Sequence, residues 1–132
     1  MKPSMGILFV MIILVGLGVA RSGDSYAQEI YAGTYKQQSG EEIYKGICQG
    51  CHMPDAKGAV GAGAYPALAN NIRLVAGIYP ITVVVNGQRA MPPFGSDLTD
   101  IQIANVINYI RTHFGNHYKD GVSAAAVKAA RR

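Results

Sequence analysis

Three neighbouring residues can do chemistry that the rest of this chain cannot: Cys48, Cys51 and His52, in the run Ile47-Cys48-Gln49-Gly50-Cys51-His52. Two thiols at i and i+3 on one helical turn project to the same side, where they can add to the two vinyl groups of a haem. The adjacent imidazole then points at the iron. The C-x-x-C-H pattern therefore predicts one covalently bound haem c, with Cys48 and Cys51 as its thioether attachments and His52 as an axial iron ligand. These are the only 2 cysteines of the chain. A disulfide between them closes a very short loop and restricts the unfolded chain little, so bracing the fold is not their role. Two other chemistries compete. Thiol–disulfide exchange also uses C-x-x-C, but in a βαβ context that this Gly-rich chain lacks. Zinc could draw on His113 and His117 as an H-x3-H pair, but they stand far beyond the usual spacing of about 12–15 residues from the cysteines, and Gly115-Asn116 breaks the helix between them.

An iron that transfers electrons without binding substrates needs a second axial ligand, and Met53, Met91, His113 and His117 are the candidates. Met53 follows His52 directly and cannot reach the opposite face of a haem. Met91 lies in Gly87-Gln88-Arg89-Ala90-Met91-Pro92-Pro93-Phe94-Gly95, where two prolines stiffen an extended loop and fix the direction of the sulfur. Met91 is the expected ligand.

These groups need helices to hold them. Ser39-Gly40-Glu41-Glu42 is a capping box that opens a helix carrying Ile43, Tyr44 and Ile47 towards Cys48. Thr99-Asp100-Ile101-Gln102 is a second one. It opens a helix with Ile103, Ile107, Ile110 and Phe114 in one apolar stripe, which Gly115 is expected to end. Between them, Pro80-Ile81-Thr82-Val83-Val84-Val85 is rich in β-branched residues, which favour a strand. Pro80 suits the first turn of a helix and Gly87 follows its end, so a helix is expected. Gly58 to Gly63 has neither a G-x-G-x-x-G pattern nor a preceding strand and reads as a flexible loop, not a phosphate cradle.

The 132 residues suffice for one domain, so a single-domain protein and not a multidomain enzyme is expected. The composition, 49% hydrophobic and 15% charged, argues for a small globular core and against disorder. The net charge is +4, but the basic residues are scattered, so no nucleic-acid surface is indicated. Met5 to Ala20 is an uncharged run behind Lys2, shorter than the roughly 18 residues of a spanning helix. It reads as the apolar region of a secretory signal, with Ser25 and Ala27 at the small-residue positions of a cleavage site. The expected organisation is a signal peptide over 1–27 cleaved after Ala27, a polar, mobile N-terminal arm over 28–38, one domain over 39–115, and a tail over 116–132 whose Ala-rich run behind Ser123 can form a short helix. Localisation is then periplasmic, and membrane attachment would require the signal to stay uncleaved.

From Ser39 to Gly115 the chain resembles the class I cytochrome c family of single-haem electron carriers. That family places a Gly and an aromatic eight and four residues before the first cysteine, as Gly40 and Tyr44 stand here. On the C-terminal helix it has a hydrophobic residue three before a Tyr, as with Val106 and Tyr109. The resemblance implies an all-α fold in which the N- and C-terminal helices cross around one covalent haem. It also implies that the carbonyl of Pro66, in Ala64-Tyr65-Pro66-Ala67-Leu68, accepts the His52 ring N–H and fixes its tautomer. The run from Gly87 to Gly115 is most similar to the small cytochrome c subunits of periplasmic dehydrogenases. The implied function is outer-sphere electron transfer between a dehydrogenase and a cytochrome or oxidase acceptor, without catalysis by the chain itself. Lys57 and Arg89, which flank the two ligand segments, are candidates for a basic docking rim. The alternative is a haem-based sensor or peroxidase-like protein with an open iron position.

Overall fold

A computed structural model describes residues 35–61 and 63–131. The signal peptide, its cleavage site and residues 28–34 of the N-terminal arm lie outside the described residues.

The first helical stretch runs through three consecutive pieces: α1 (Gly40–Ile43), a π-helical turn (Tyr44–Cys48) and α2 (Gln49–His52). Both halves of the Ser39 capping box form. The Ser39 hydroxyl accepts from the Glu42 N–H at 3.2 Å, and the Glu42 carboxylate accepts from the Ser39 N–H at 3.1 Å. The π turn widens the helix immediately ahead of the first cysteine, an irregularity that recurs at functional sites.

A two-stranded antiparallel ribbon follows, β1 (Ala59–Val60) with β2 (Ala64–Tyr65), in register Ala59 with Tyr65 and Val60 with Ala64. The Gly58–Gly63 stretch, expected as a flexible loop, thus carries a short ribbon, while the described chain is otherwise helical as expected. The cause is local, since the glycines between the strands let the chain reverse within a few residues. A 3-10 turn over Ile72–Leu74 leads to α3 (Ile78–Asn86), then α4 (Asp100–Thr112) and α5 (Ala124–Ala130).

The β-branched segment is helical. Pro80 sits third in α3, where its missing N–H has no intrahelical partner to lose, Thr82 bonds back to the Ile78 carbonyl at 2.9 Å, and Gly87 ends the helix with φ 72°. α4 starts from the Thr99–Gln102 capping box. It ends at Thr112, short of Gly115. Phe114 already has φ 58°, and its carbonyl accepts from the Asn70 N–H at 3.1 Å, so a tertiary bond to a loop displaces the last helical turn.

α1 packs against α4, and α4 packs against α3 and α5. A Cβ on Gly40 would lie 2.2 Å from the Asn105 carbonyl oxygen, so the two helices meet backbone to backbone. Ile43, Tyr44, Ile81, Ile103, Ile107 and Val127 are almost wholly buried between them. Each such side chain contributes on the order of 1.5–3 kcal/mol. Tyr44 also packs against Phe114 and Tyr109, at ring separations of 4.8 and 5.8 Å.

Both flanking segments join this core. Gln102, fully buried, donates to the carbonyls of Tyr35 and Gln37 at 2.8 and 2.7 Å, and Asn105 donates to Gln38, so residues 35–38 are tied to α4. At the other end Ser123 caps α5, whose Val127 has no exposed surface.

Candidate haem site

α2 carries Cys51 and His52 and follows directly on the turn that ends in Cys48. The two cysteines are free thiols. Cys51 is exposed, whereas Cys48 is half-buried, and desolvation against the core pushes its thiol up to about 12. Burial thus favours the S–H form of Cys48.

His52 is 8% exposed, and its Nδ1 stands 2.9 Å from the Pro66 carbonyl oxygen. A carbonyl can only accept, so Nδ1 carries the proton and Nε2 is left with the lone pair that a metal would take. The chain between the two residues is folded to bring them together. The Gly58 N–H donates to the His52 carbonyl at 3.1 Å, and the Ala56 carbonyl accepts from Leu68 and Ala69 at 2.7 and 2.9 Å. Gly58 has φ 69°, and a Cβ there would lie 2.1 Å from the Tyr65 carbonyl oxygen and 2.8 Å from the Pro66 carbonyl carbon. Only glycine lets the Pro66 strand approach so closely.

Met53, directly after His52, has φ 67° and ψ 158°, a region that costs a non-glycine residue about 1–3 kcal/mol. Its carbonyl accepts from the Tyr44 hydroxyl at 2.8 Å, which holds that conformation from the far side of the helix. Burial raises Tyr44 to about 12, so the hydroxyl remains a donor at neutral pH.

Met91 stands on a separate turn, after α3. Gln88 and Met91 exchange backbone bonds of 3.0 Å in both directions, with Arg89 exposed at the tip with φ 54°. Gly87 backs this turn. Its φ of 72° and ψ of 167° are open essentially to glycine alone, and a Cβ would lie 2.7 Å from the Met91 carbonyl oxygen and 2.8 Å from the Pro93 nitrogen. Beyond the prolines, Phe94 and Gly95 donate to the Val84 and Val85 carbonyls at 2.9 and 3.1 Å. Met91 itself is half-buried.

Of the other candidates, His113 and His117 are both exposed, at and beyond the end of α4. His113 stacks on Tyr109 at 4.1 Å with its Nδ1 at 2.9 Å from the Tyr109 carbonyl, and among the described residues no group of three or more His, Cys, Asp and Glu is placed to hold a metal ion. Of the proposed rim, Lys57 faces Asp55 at 3.3 Å, while Arg89 has no carboxylate within salt-bridge distance among the described residues.

Two supporting residues escaped the sequence reading. Asn116, 2% exposed, donates to the Leu68 and Ile110 carbonyls and accepts from the Asn71 N–H, pinning the stretch after Pro66 to the end of α4. Arg111, 1% exposed, donates to the Leu74 and Val75 carbonyls and pairs with the Asp120 carboxylate, whose pKa it lowers. The available signal for Arg111 was its place four residues after Ile107, a charge on the apolar stripe. Asn116 had none.

The residues present fit a c-type haem: two free thiols on one helical turn, an imidazole whose outer nitrogen is unpaired because the inner one is bonded to a carbonyl, and a rigidly backed methionine. The family described as "Cytochrome C oxidase, cbb3-type, subunit III" matches residues 36–110. The chain is 38% identical over 111 residues to the fructose dehydrogenase cytochrome subunit of Gluconobacter japonicus, covering 73% of this chain and 22% of that protein. It is 32% identical over 121 residues to the gluconate 2-dehydrogenase cytochrome c subunit of Pantoea cypripedii, covering 83% of this chain and 27% of that protein. Cytochrome c6 of Diacronema lutheri is 35% identical over 82 residues, 58% of this chain and 95% of that protein. The chain thus spans only about a quarter of the dehydrogenase cytochrome subunits it matches. With the family match running through the C-x-x-C-H motif and nearly the whole of a cytochrome c6 covered, the chain belongs to the cytochrome c family.

Proposed function

We propose that this chain is a periplasmic electron-transfer protein holding one c-type haem, attached through Cys48 and Cys51 and ligated by His52 and Met91. It accepts electrons from a dehydrogenase of the kind whose cytochrome subunits it resembles, as a shuttle to the respiratory chain or as the haem subunit of that enzyme. The observation that carries the reading is the Nδ1–H bond from His52 to Pro66 inside a C-x-x-C-H motif, because it leaves Nε2 as the free ring nitrogen.

A haem bound there supplies one-electron cycling between Fe(III) and Fe(II). The chain's own contribution is positional. Cys48 and Cys51 would hold the haem through thioether bonds, Pro66 fixes the ring plane of His52, and the Gly87–Met91 turn presents a thioether that would favour the reduced state. With His52 and Met91 both holding the iron, the chain would make and break no bond in a substrate. Partners dock by local charge, since the +3 left from Gln28 onward, 10 Lys and Arg against 7 Asp and Glu, is too small for strong global steering. Arg89, exposed at the tip of the Met91 turn, is the better placed of the two rim candidates.

Export is supported by the Met5–Ala20 run and by the residue pattern before Gln28. Among the described residues no helix is long and apolar enough to cross a membrane.

The test is expression in a secretion-competent host with haem staining after denaturation and mass measurement of the intact protein. The wild type is expected to keep one haem and to start at Gln28, and Cys48→Ser with Cys51→Ser to keep none. A wild type without covalent haem would overturn the reading.

A further inference from the structure

The segment after Gly115 carries no haem ligand, yet it ends on the loop that follows Met91. Arg131, at the C-cap of α5, is partly buried and directs its guanidinium entirely at the stretch from Gly95 to Asp100: Nη2 donates to the Leu98 carbonyl at 2.7 Å, Nη1 to the Gly95 carbonyl, and Nε to the Asp100 carboxylate. Asp100 is itself the first residue of α4, so its charge also faces the positive end of that helix. The α5 helix that presents Arg131 is anchored independently through buried Val127 and the Ser123 cap, and it packs on both α3 and α4.

The Met91 loop is therefore fastened at two ends by different means. At its start Gly87 and the Gln88–Met91 backbone pair set the turn. At its far end the Gly95 N–H holds Val85, and the Gly95 and Leu98 carbonyls are left for a donor outside the loop. Arg131 supplies that donor with a planar fork, which lysine cannot reproduce.

We propose that Arg131 is a positioning residue for the Met91 ligand: with Asp100 it latches α5 onto the Gly95–Leu98 end of the loop and so keeps the thioether in place for the iron. This rests on the His52/Met91 reading above. Nothing in the latch touches the His52–Pro66 side, so its loss is expected to weaken the sulfur bond and leave haem attachment intact.

The experiment compares wild type with Arg131→Gln, Arg131→Lys, Asp100→Asn, Met91→Ala and, as a control for general loosening, Asp120→Asn, which removes the ion pair with Arg111 at the other end of α4. The readouts are the oxidised iron–sulfur charge-transfer band, the pH at which it disappears, and the rate of carbon monoxide binding to the reduced protein. Arg131→Gln is expected to raise that rate by about tenfold or more, the loss of charge-assisted bonds to two carbonyls, and to lose the band at lower pH. Arg131→Lys and Asp100→Asn should fall between Arg131→Gln and wild type, while Asp120→Asn should match wild type. Equal band and rate in Arg131→Gln and wild type would overturn the latch alone. A wild type without the band, unchanged by Met91→Ala, would overturn the ligand assignment and the latch with it. Equal effects of Arg131→Gln and Asp120→Asn would reduce the latch to general stability and so overturn it.

Discussion

His52 is 8% exposed and its ring is bonded to a carbonyl 14 residues further along the chain, whereas Met91 is half-buried and held through its backbone by a turn that closes on itself. The His52 side is long-range. Gly58, Ala56, Asn116 and Arg111 draw the loops before and after Pro66 against α4. The Met91 turn itself is local, fixed by Gly87 and by backbone bonds to the end of α3, with Arg131 as a long-range tie only at the far end of its loop. Long-range fixing makes the His52 side part of the fold, so that it fails only when the fold fails. Local fixing makes the Met91 side separable, so that it can open while the core stands. If Met91 ligates the iron as proposed, the ligand lies on the segment that can change without unfolding the rest.

That contrast can be broken most forcefully at Arg111. Arg111→Met leaves the buried Leu74 carbonyl and the Val75 carbonyl without their side-chain donor and is expected to destabilise by about 3 kcal/mol, read from denaturant midpoints of the holoprotein. Gly87→Ala is the counterpart on the other side. Its Cβ meets the Met91 and Pro93 backbone, so a loss of about 2 kcal/mol is expected together with loss of the iron–sulfur band while the haem stays attached. If both variants lost the band in proportion to stability, the two sides would not be separable. Tyr44→Phe sharpens the comparison within the His52 side. It removes one hydroxyl bond to the strained Met53 carbonyl and should cost about 1 kcal/mol in the same unfolding assay, with the band unchanged. The smallest effect concerns docking. Arg89→Glu is expected to slow reduction by a partner protein more at low than at high ionic strength, and Lys57→Glu to do so less, because Lys57 already faces Asp55. Equal slowing by the two, or slowing independent of salt, would remove Arg89 from the docking surface.

Much of this was legible in the residues. Both capping boxes, the α4 stripe and the helix over the β-branched run were readable because each depends on neighbours within one or two turns. What escaped the sequence depends on partners far along the chain. The end of α4 moved to Thr112 because Asn70 bonds the Phe114 carbonyl, and the 28–38 arm is held at its last residues because Gln102 reaches back 67 residues to Tyr35. The roles of Asn116 and Arg131 are set by carbonyls that no local pattern announces. Cys48, Cys51 and His52 stand out in the sequence because covalent haem attachment would require those residue types at that spacing, and Met91 because two prolines stiffen the loop that carries it. How each is supported, and hence why one side should yield before the other, required the tertiary structure.

The most direct test of the central claim is the visible spectrum of the haem-loaded protein, oxidised, reduced, and reduced under carbon monoxide. A low-spin c-type spectrum with the oxidised iron–sulfur band and little response to carbon monoxide is the result expected for an electron carrier with His52 and Met91 both in place. A high-spin spectrum that shifts fully under carbon monoxide would contradict it and favour a sensor or peroxidase-like protein with an open iron position.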